Sequence, residues 1–411
     1  MSSDRIEKWV SEKLSQFKEK GILKGRESVI KEIRKSSENK GPRYLMEGEG
    51  GKEFVKMNSN SYLGMSLNKE VIEAEKEATE RFGVGPGAVR FIDGTFKPHI
   101  ELEKRLAEFH RRESGMIFSS AYAAVCGILS PLISPETVVI SDALNHNCII
   151  NAIKLAKPKD KKIYAHLNMG DLENKIKECL GNCQRVMIVT DGVFSMRGDY
   201  PDLKRLVELA KKYHPEFEEG ILTVMDDSHG VGAYGKTGRG TTEANGEDGI
   251  DILIATLGKA LGVNGGYVVT KSKIIEYLRE TAPFYIYSNP ITPSEASAAL
   301  KSLEILDSEK GREMLSYLKE MTVYFKKGLT DLGYETIKGE HPIVAMMLRN
   351  TQKTIKLVNY LKEKGVLVVG LKYPVVPQGD ECIRFQISAA HTKDDLDYAL
   401  KTLEEYPAST F

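Results

Sequence analysis

Three residues in the second half of the chain have the types and spacing that carbonyl chemistry requires. Lys259 follows a short apolar run in a Thr-x-Gly-Lys turn rich in glycine. Asp226 ends another apolar run, and His229 comes three residues later. A lysine amine can bond an aldehyde, and a carboxylate at strand depth can keep a pyridine nitrogen protonated. Together the three predict a pyridoxal phosphate site, whereas Lys259 alone has a second interpretation as a solvated charge in a turn.

Each of these side chains has a role that its chemistry suggests. Lys259 would bond the cofactor aldehyde and then, as a free amine, remove a substrate Cα proton, which requires a depressed pKa. Asp226 would pair with the protonated pyridine nitrogen, a charge-assisted bond of about 1.5 to 3 kcal/mol. The structural alternatives are a helix N-cap for the aspartate, for which adjacent Asp227 is the better candidate, and a core histidine for His229.

Short apolar runs alternate with helical segments around these residues. Strands alternating with helices predict an α/β fold in which a mostly parallel sheet is covered on both faces. In such sheets ligands gather at the carboxyl ends of the strands, where the polar residues of this sequence fall. The predicted strands lie within residues 116–133, where the strand itself is 116–119, and within residues 137–156, 185–196, 220–230, 251–259 and 265–272.

The chain divides into three predicted parts. Residues 1–57 form a helical arm, with apolar residues at helical spacing, and a small hairpin at GEGGKEF. Residues 58–290 form a large cofactor-binding domain, and residues 291–411 form a smaller α+β domain. The arm is expected to pack on its own domain or on a sister subunit. A helix is predicted over residues 69–82, and the GVGPG segment that ends it at 83–87 is either a plain loop or a backbone approach to a ligand.

Composition excludes several classes of function. The 411 residues carry 58 basic and 58 acidic side chains, so no overall field favours nucleic acid or an anionic membrane. Cys179 and Cys183 have no second pair to complete a zinc site, and no metal is expected. An odd number of scattered cysteines and the absence of a long apolar segment predict a soluble, cytoplasmic protein.

Six motifs, in order along residues 58–392, resemble the α-oxoamine synthase family of pyridoxal-phosphate enzymes: SDALNH, TDGVFSM, DDSHGVG, TLGKALG, YSN and RFQISAAHT. This resemblance implies fold type I. DGVFSM, YPVVPQG and ISAAHT are most similar to the glycine C-acetyltransferase subfamily, also called 2-amino-3-ketobutyrate CoA ligase. It implies condensation of glycine with acetyl-CoA to 2-amino-3-ketobutyrate and CoA, and the reverse cleavage.

Other interpretations remain open. The same family condenses alanine with pimeloyl-CoA, glycine with succinyl-CoA, or serine with a long acyl-CoA. A different class is a non-catalytic subunit that only binds the cofactor, and the presence of Lys259 argues against it. Family members commonly have Asn or Asp where this chain has Ser61, and a different pair at Tyr122 and Ala123. These departures bear on substrate preference more than on the chemistry.

Further cofactor residues come partly from chemistry and partly from the resemblance. A helix N-terminus after a strand can bind phosphate, which indicates Ser120, Ala121 and Tyr122, although a serine there can simply cap the helix. The resemblance adds four more residues. His146 would stack on the cofactor and orient or protonate the thioester. Ser195 would join His229 at the phenolic oxygen of the cofactor. Thr256 would bind the phosphate, and Ser288 would reach in from the second subunit of a homodimer.

The resemblance also implies substrate contacts. Arg384 would clamp the substrate carboxylate in a bidentate geometry that lysine lacks. Asn60 would add a polar contact near the substrate. His391 lies in the same motif as Arg384, with no role fixed.

Overall fold

A helix and a small sheet form the N-terminal part of the chain. The computed structural model describes residues 2–20, 23, 25, 27–373 and 375–407. Helix α1 spans Ser2–Glu19, and strands β1 Ile30–Arg34, β2 Arg43–Met46 and β3 Glu53–Lys56 follow. The predicted hairpin is present, because β2 pairs antiparallel with β3. Strand β1 was not predicted, since all five of its residues are exposed and it has no buried face to mark it.

A seven-stranded sheet forms the centre of the molecule, in the order β4-β10-β9-β8-β7-β5-β6. Strands β5 to β9 are parallel, and β10 runs antiparallel to both β4 and β9. The prediction of a mostly parallel sheet is confirmed. The connection 257–265 contains no crossover helix, so β10 must return in the opposite direction. The strands are β4 Ser114–Phe118, β5 Thr137–Asp142, β6 Asp160–Tyr164, β7 Arg185–Asp191, β8 Gly220–Asp226, β9 Ile252–Thr256 and β10 Gly266–Thr270.

Helices bury both faces of this sheet. Met116 and Ile117 are neighbours on β4 whose side chains enter two different core clusters, as expected when successive residues point to opposite faces. Helix α2 has the predicted bounds. The helices are α2 Lys69–Phe82, α3 Lys97–Phe109, α4 Ala121–Leu132, α5 Asn147–Ala156, α6 Met169–Lys177, α7 Leu203–Tyr213, α8 Thr241–Asn245, α9 Ser272–Thr281 and α10 Pro283–Ile286.

The C-terminal part contains a smaller sheet. Its antiparallel order is β11-β12-β15-β14, while β13 pairs in parallel with β3 of the N-terminal sheet. This confirms a smaller domain after the large one; the exact boundaries at 57 and 290 stay predictions. Its elements are α11 Pro293–Leu306, α12 Glu309–Asp331, β11 Glu335–Thr336, β12 Ile343–Met347, α13 Thr351–Glu363, β13 Val366–Leu367, β14 Val369–Leu371, β15 Cys382–Gln386 and α14 Lys393–Glu404.

Backbone hydrogen bonds tie this smaller sheet to the start of the large domain. The N–H of Gln386 donates to Met57 O at 2.8 Å, and the N–H of Ala389 donates to Tyr62 O at 2.7 Å. The segment that contains Asn60 is therefore held against β15, which carries Arg384.

Three structural features are absent from the described residues. No helix there has the length and apolar character needed to cross a bilayer. The five cysteines are all free thiols. No group of three or more His, Cys, Asp or Glu side chains within the described ranges is placed to hold a metal ion.

Candidate active site

The carboxyl ends of two neighbouring strands bring the predicted residues together. Asp226 is the last residue of β8, Thr256 the last of β9, and Lys259 follows in the adjoining turn. Asp226 is buried, and one of its carboxylate oxygens accepts from the N–H of Ser228 at 3.0 Å. The parallel register accounts for this arrangement, because aligned strands end at the same edge of a sheet.

The amine of Lys259 lies in a setting that favours its neutral form. Burial lowers its pKa, against the attraction of Asp226 and Asp191, and the positive charge of Arg384 lowers it further. Within the described residues the amine has no hydrogen bond or salt bridge. A desolvated amine of lowered pKa can bond an aldehyde and can accept a proton, as the sequence predicted.

A second carboxylate, Asp191, stands beside Asp226 and was not predicted. The two are direct partners in the β7–β8 register. Burial raises the pKa of Asp191 well above its usual range, and repulsion from Asp226 raises it further. Burial and the neighbouring carboxylate therefore favour the protonated form of Asp191. The strand-end sequence TDG was the available signal, but pairing it with Asp226 required the register.

Asp191 also fixes the loop that carries His146. Its Oδ2 accepts from the backbone N–H of His146 at 3.1 Å, and its own N–H donates to Asn145 Oδ1 at 2.9 Å. Asn145 in turn donates to Val189 O at 2.8 Å and to Ser141 Oγ at 2.9 Å. His146 is consequently held at the strand ends while one side of its ring remains accessible.

Two aromatic side chains, Tyr62 and His341, hold His229 in place. Its Nδ1 lies 2.7 Å from the hydroxyl of Tyr62, and its backbone oxygen accepts from His341 Nε2 at 2.8 Å. Burial lowers the pKa of His229 well below its ordinary value, and burial raises the pKa of Tyr62. A protonated phenol can donate to Nδ1, which leaves the imidazole proton on Nε2. The core role of this histidine and a donor role toward the site are thus compatible.

The predicted phosphate turn lies at the N-terminus of α4. Ser120 caps this helix and accepts from the N–H of Ala123 at 3.0 Å, as its structural interpretation requires. Gly266 of β10 crosses so close that a Cβ there would lie 2.4 Å from Ala121. The first helical N–H groups, including those of Ala121 and Tyr122, remain available for an anion. Thr256 Oγ1 donates to Gly265 O at 3.1 Å and accepts from the N–H of Gly258 at 3.0 Å, so its hydroxyl proton must turn away from Gly265 to reach a phosphate oxygen.

Arg384 and Asn60 come together through β15. Nη1 of Arg384 donates to the backbone oxygen of Ser195 at 2.7 Å, while its buried Nε has no partner in the described residues. Gln386, two residues along the same strand face, donates to Asn60 Oδ1. The structure thus places Arg384 beside Ser195, and Asn60 beside another residue of the same strand. Their roles toward substrate and cofactor stay predictions. Gln386 was missed because only the folded chain brings it to Asn60.

An adjoining cavity of about 410 Å³ opens beside His146. Its lining is mainly apolar, with a single arginine and a single aspartate among the described residues that line it. Those charged members are Arg197 and Asp380; the apolar lining includes Leu144, Ile150, Phe194, Met196, Ile337, Met347, Val376 and Cys382. The cavity can take a hydrocarbon chain that approaches the site from the side of His146.

Two predicted residues stand apart from this arrangement. The hydroxyl of Ser288 donates to the adjacent Asn289 O at 3.5 Å, a local contact, so its role from a second subunit stays a prediction. His391 is buried; its Nε2 contacts Lys56 O at 3.2 Å, and its Nδ1 accepts from the N–H of Ser388 at 3.2 Å. We interpret His391 as structural, because both ring nitrogens serve backbone groups.

The residues present fit pyridoxal phosphate. Buried polar atoms without a partner in the described chain surround the strand ends, namely Asp191 Oδ1, Ser228 Oγ and Arg384 Nε. Buried polar atoms are normally hydrogen-bonded, so these atoms suit a polar ligand. Lys259 would hold the aldehyde carbon, Asp226 the ring nitrogen, and the start of α4 the phosphate.

Comparison with known proteins shows the family to which the chain belongs. The sequence model of the family described as aminotransferase class I and II matches residues 52–403. An 8-amino-7-oxononanoate synthase of Thermosipho melanesiensis is 39% identical over 356 residues, which cover 86% of this chain and 88% of that protein. The enzyme of the same name from Symbiobacterium thermophilum is 39% identical over 390 residues, covering 95% of each.

Solved structures share the fold along nearly the whole chain. Serine palmitoyltransferase from S. paucimobilis, with bound PLP and myriocin, is 27% identical with a TM-score of 0.86, and the match covers 98% of this chain and 97% of that one. Sphingomonas wittichii serine palmitoyltransferase is 25% identical with a TM-score of 0.86, over 97% and 96%. Francisella tularensis 8-amino-7-oxononanoate synthase is 25% identical with a TM-score of 0.72, over 86% and 97%.

Proposed function

We propose a function from one premise: the chain belongs to the α-oxoamine synthase family of pyridoxal-phosphate-dependent enzymes. Its fold is fold type I and its cofactor is pyridoxal phosphate. The proposed reaction joins a small α-amino acid to the acyl group of an acyl-CoA, forming a carbon–carbon bond and releasing CoA. The single observation that carries it is the buried amine of Lys259 close enough to interact with the carboxylate of Asp226 and with His146, which lines an apolar cavity.

Each residue has a part in this reaction. Bound pyridoxal phosphate supplies an electron sink for the negative charge that develops at the substrate Cα. Lys259 takes the Cα proton, which its lowered pKa permits. Asp226 keeps the ring nitrogen cationic, and Arg384 holds the substrate carboxylate through the Nε that has no protein partner. His146, at the cavity mouth, faces the acyl carbonyl.

For the substrate pair, we propose alanine and pimeloyl-CoA, with release of CoA and carbon dioxide. The support is the 8-amino-7-oxononanoate synthase name of relatives 39% identical over 86% to 95% of this chain. The cavity of about 410 Å³ also offers more room than an acetyl group needs. The name of these relatives does not match the pair of glycine and acetyl-CoA, which the motifs predicted.

Glycine and acetyl-CoA remain the second candidate because of the charges at the cavity. Arg197 is the one cationic side chain among the described residues that line it, and it is already bound to Asp199 at 2.8 Å and to Asp380 at 3.0 Å. The terminal carboxylate of a pimeloyl chain would compete with these acids, whereas an acetyl group needs no cation. The YPVVPQG motif, part of which lines the same cavity, supports this candidate too.

A substrate panel tests both candidates. Alanine, glycine and serine are each combined with acetyl-, hexanoyl-, pimeloyl- and palmitoyl-CoA, and free thiol and product mass are measured. If the first proposal is right, alanine with pimeloyl-CoA has the largest kcat/KM of all pairs. If glycine with acetyl-CoA has the largest kcat/KM instead, the second candidate is favoured. Turnover of no pair, together with a cofactor spectrum unchanged by amino acids, would instead indicate a non-catalytic subunit.

We also propose a cytoplasmic homodimer with shared sites, in which Ser288 serves the site of the partner subunit. Subunits carrying Lys259→Ala are mixed with subunits carrying Ser288→Glu, after mild dissociation and reassociation. If sites are shared, each variant alone is inactive and the mixture regains activity, because one site per mixed dimer has both native residues. A mixture that stays inactive while forming mixed dimers would contradict sharing.

A further inference from the structure

The side chain of Cys148 contacts two residues of the site at once. Its sulfur lies 2.9 Å from Nδ1 of His146 and 3.8 Å from Oδ2 of Asp226. Cys148 is 2% exposed and lies in the first turn of α5. No step of the proposed reaction uses this thiol, yet it connects the side chain at the cavity mouth to the carboxylate at the strand end.

The thiol of Cys148 acts as a hydrogen-bond donor and not as a nucleophile. Burial raises the pKa of Cys148, and the nearby charges of Asp226 and Asp191 raise it further. A thiol held protonated has one S–H to donate and little reactivity.

The Nδ1 nitrogen of His146 contacts both the backbone and the thiol of Cys148. His146 is the N-cap of α5, and its Nδ1 accepts from the backbone N–H of Cys148 at 3.3 Å, so Nδ1 must present its lone pair. The thiol has one S–H, which faces two acceptors, this nitrogen and Oδ2 of Asp226. Partial desolvation lowers the pKa of His146, against the attraction of Asp226. The ring is therefore neutral with its proton on Nε2, which has no partner within the described residues.

We propose that Cys148 is a positioning residue that locks His146 in the Nε2–H tautomer and holds the ring against Asp226. The tautomer is a property of the chain, while its use rests on the proposed function. Nε2–H donates a hydrogen bond to the acyl carbonyl oxygen as negative charge develops there, at a site that already lines the cavity. Cys148 itself gains and loses no proton.

Nitrogen chemical shifts of the histidine rings test the tautomer directly. The full chain with its pyridoxal phosphate is labelled with 15N-histidine, and the His146 signals are assigned by their loss in a His146→Gln variant. We expect an unprotonated Nδ1 and a protonated Nε2. In Cys148→Ala the two shifts should move toward each other, Cys148→Ser should restore them, and Cys126→Ala, a buried thiol of α4 without a bond to His146, should leave them unchanged.

Steady-state kinetics separate positioning from mere packing. We expect Cys148→Ala to lower kcat by about 10-fold with little change in the KM of the amino acid, and Cys148→Ser to recover most of that loss. Should the alanine variant fail to fold, Cys148→Val fills the space without a donor and takes its place.

A proton on Nδ1 in the native protein, or shifts unchanged in Cys148→Ala, would overturn the proposal. Absence of turnover with every acyl-CoA would instead refute the proposed function, because the shift measurement needs no substrate.

Discussion

Two regions of the active site are built in different ways. The strand-end floor, Asp191, Asp226, Thr256 and Lys259, comes from three adjacent strands and the turn after them. The cavity wall, residues 194–197 and 375–382, joins a loop after β7 to the segment before β15. Both aspartates of the floor are buried, whereas Arg197 and Asp380 of the wall are half-buried.

This difference between the floor and the wall indicates which part of the function each region controls. The register of β7 and β8 places Asp191 opposite Asp226, so the floor is fixed by sheet pairing and serves the cofactor. Ion pairs between distant segments hold the wall, such as Arg197 with Asp380. We infer that the floor sets the chemistry while the wall sets the acyl group, and changes in the two regions should therefore have different signatures.

The largest expected effect comes from the floor residue Lys259. Lys259→Ala removes both the bond to the cofactor aldehyde and the base for the Cα proton, so kcat/KM should fall by about 10⁴-fold or more. The measurement is thiol release with the best substrate pair, together with the visible spectrum. Lys271→Ala, an exposed lysine just before α9, is the control and should keep full activity. Normal turnover by Lys259→Ala would remove the basis of the proposed function.

Asp226→Asn should rank next. The carboxamide carries no charge to keep the ring nitrogen protonated, so we expect kcat to fall by about 10²- to 10³-fold at an unchanged fold. The neighbour Asp227 is the control, because its carboxylate accepts from the N–H and hydroxyl of Thr241 at 2.7 and 2.5 Å. Asp227→Asn should lower the melting temperature more than kcat. Equal losses of kcat in both variants would show that Asp226 is structural.

The wall should respond in selectivity instead of rate. Asp380→Asn frees Arg197 from one of its two carboxylates, so the kcat/KM ratio of pimeloyl-CoA to hexanoyl-CoA should rise by about 5- to 10-fold, near 1 kcal/mol. Arg197→Gln should lower the same ratio. Asp331→Asn, an exposed aspartate at the end of α12, is the control. An unchanged ratio in both wall variants would mean that the acyl end does not reach Arg197.

Much of the floor could be predicted from the sequence, because its residues follow apolar strands in short motifs. Lys259, Asp226 and His229 lie where their spacing indicated, and α2 has the expected bounds. Asp191 was not predicted, because its importance depends on the strand register that places it opposite Asp226. The contacts that join Asn60 and Ser195 to β15 could not be predicted in the same way. Asn60 and Gln386 are bonded across 326 positions, and Arg384 reaches Ser195 across 189, separations that local patterns do not encode.

The smallest expected effect concerns a histidine that supports the wall. His166 lies between Asp142 at 2.8 Å and Asp199 at 3.3 Å, and Asp199 also binds Arg197. Burial opposes the charged ring, but the two carboxylates raise the pKa of His166 to about 9. Because this pKa lies above the ordinary 6.5, the stabilisation is complete below about pH 6.5 and is lost as pH rises through 9.

Substitution of His166 should therefore affect stability in a pH-dependent way. His166→Gln should cost about 2 kcal/mol of unfolding free energy at pH 6 and clearly less at pH 10, because the native ring has lost its charge by then. Urea unfolding at several pH values measures this difference. His214→Gln is the control, since its Nδ1 contacts the backbone N–H and O of Ile221 at 3.1 and 3.2 Å and no carboxylate among the described residues binds it. A cost that is the same at both pH values would show that His166 is neutral, and that the wall is held by packing of its ring on Phe194, at 4.4 Å, instead of by charge.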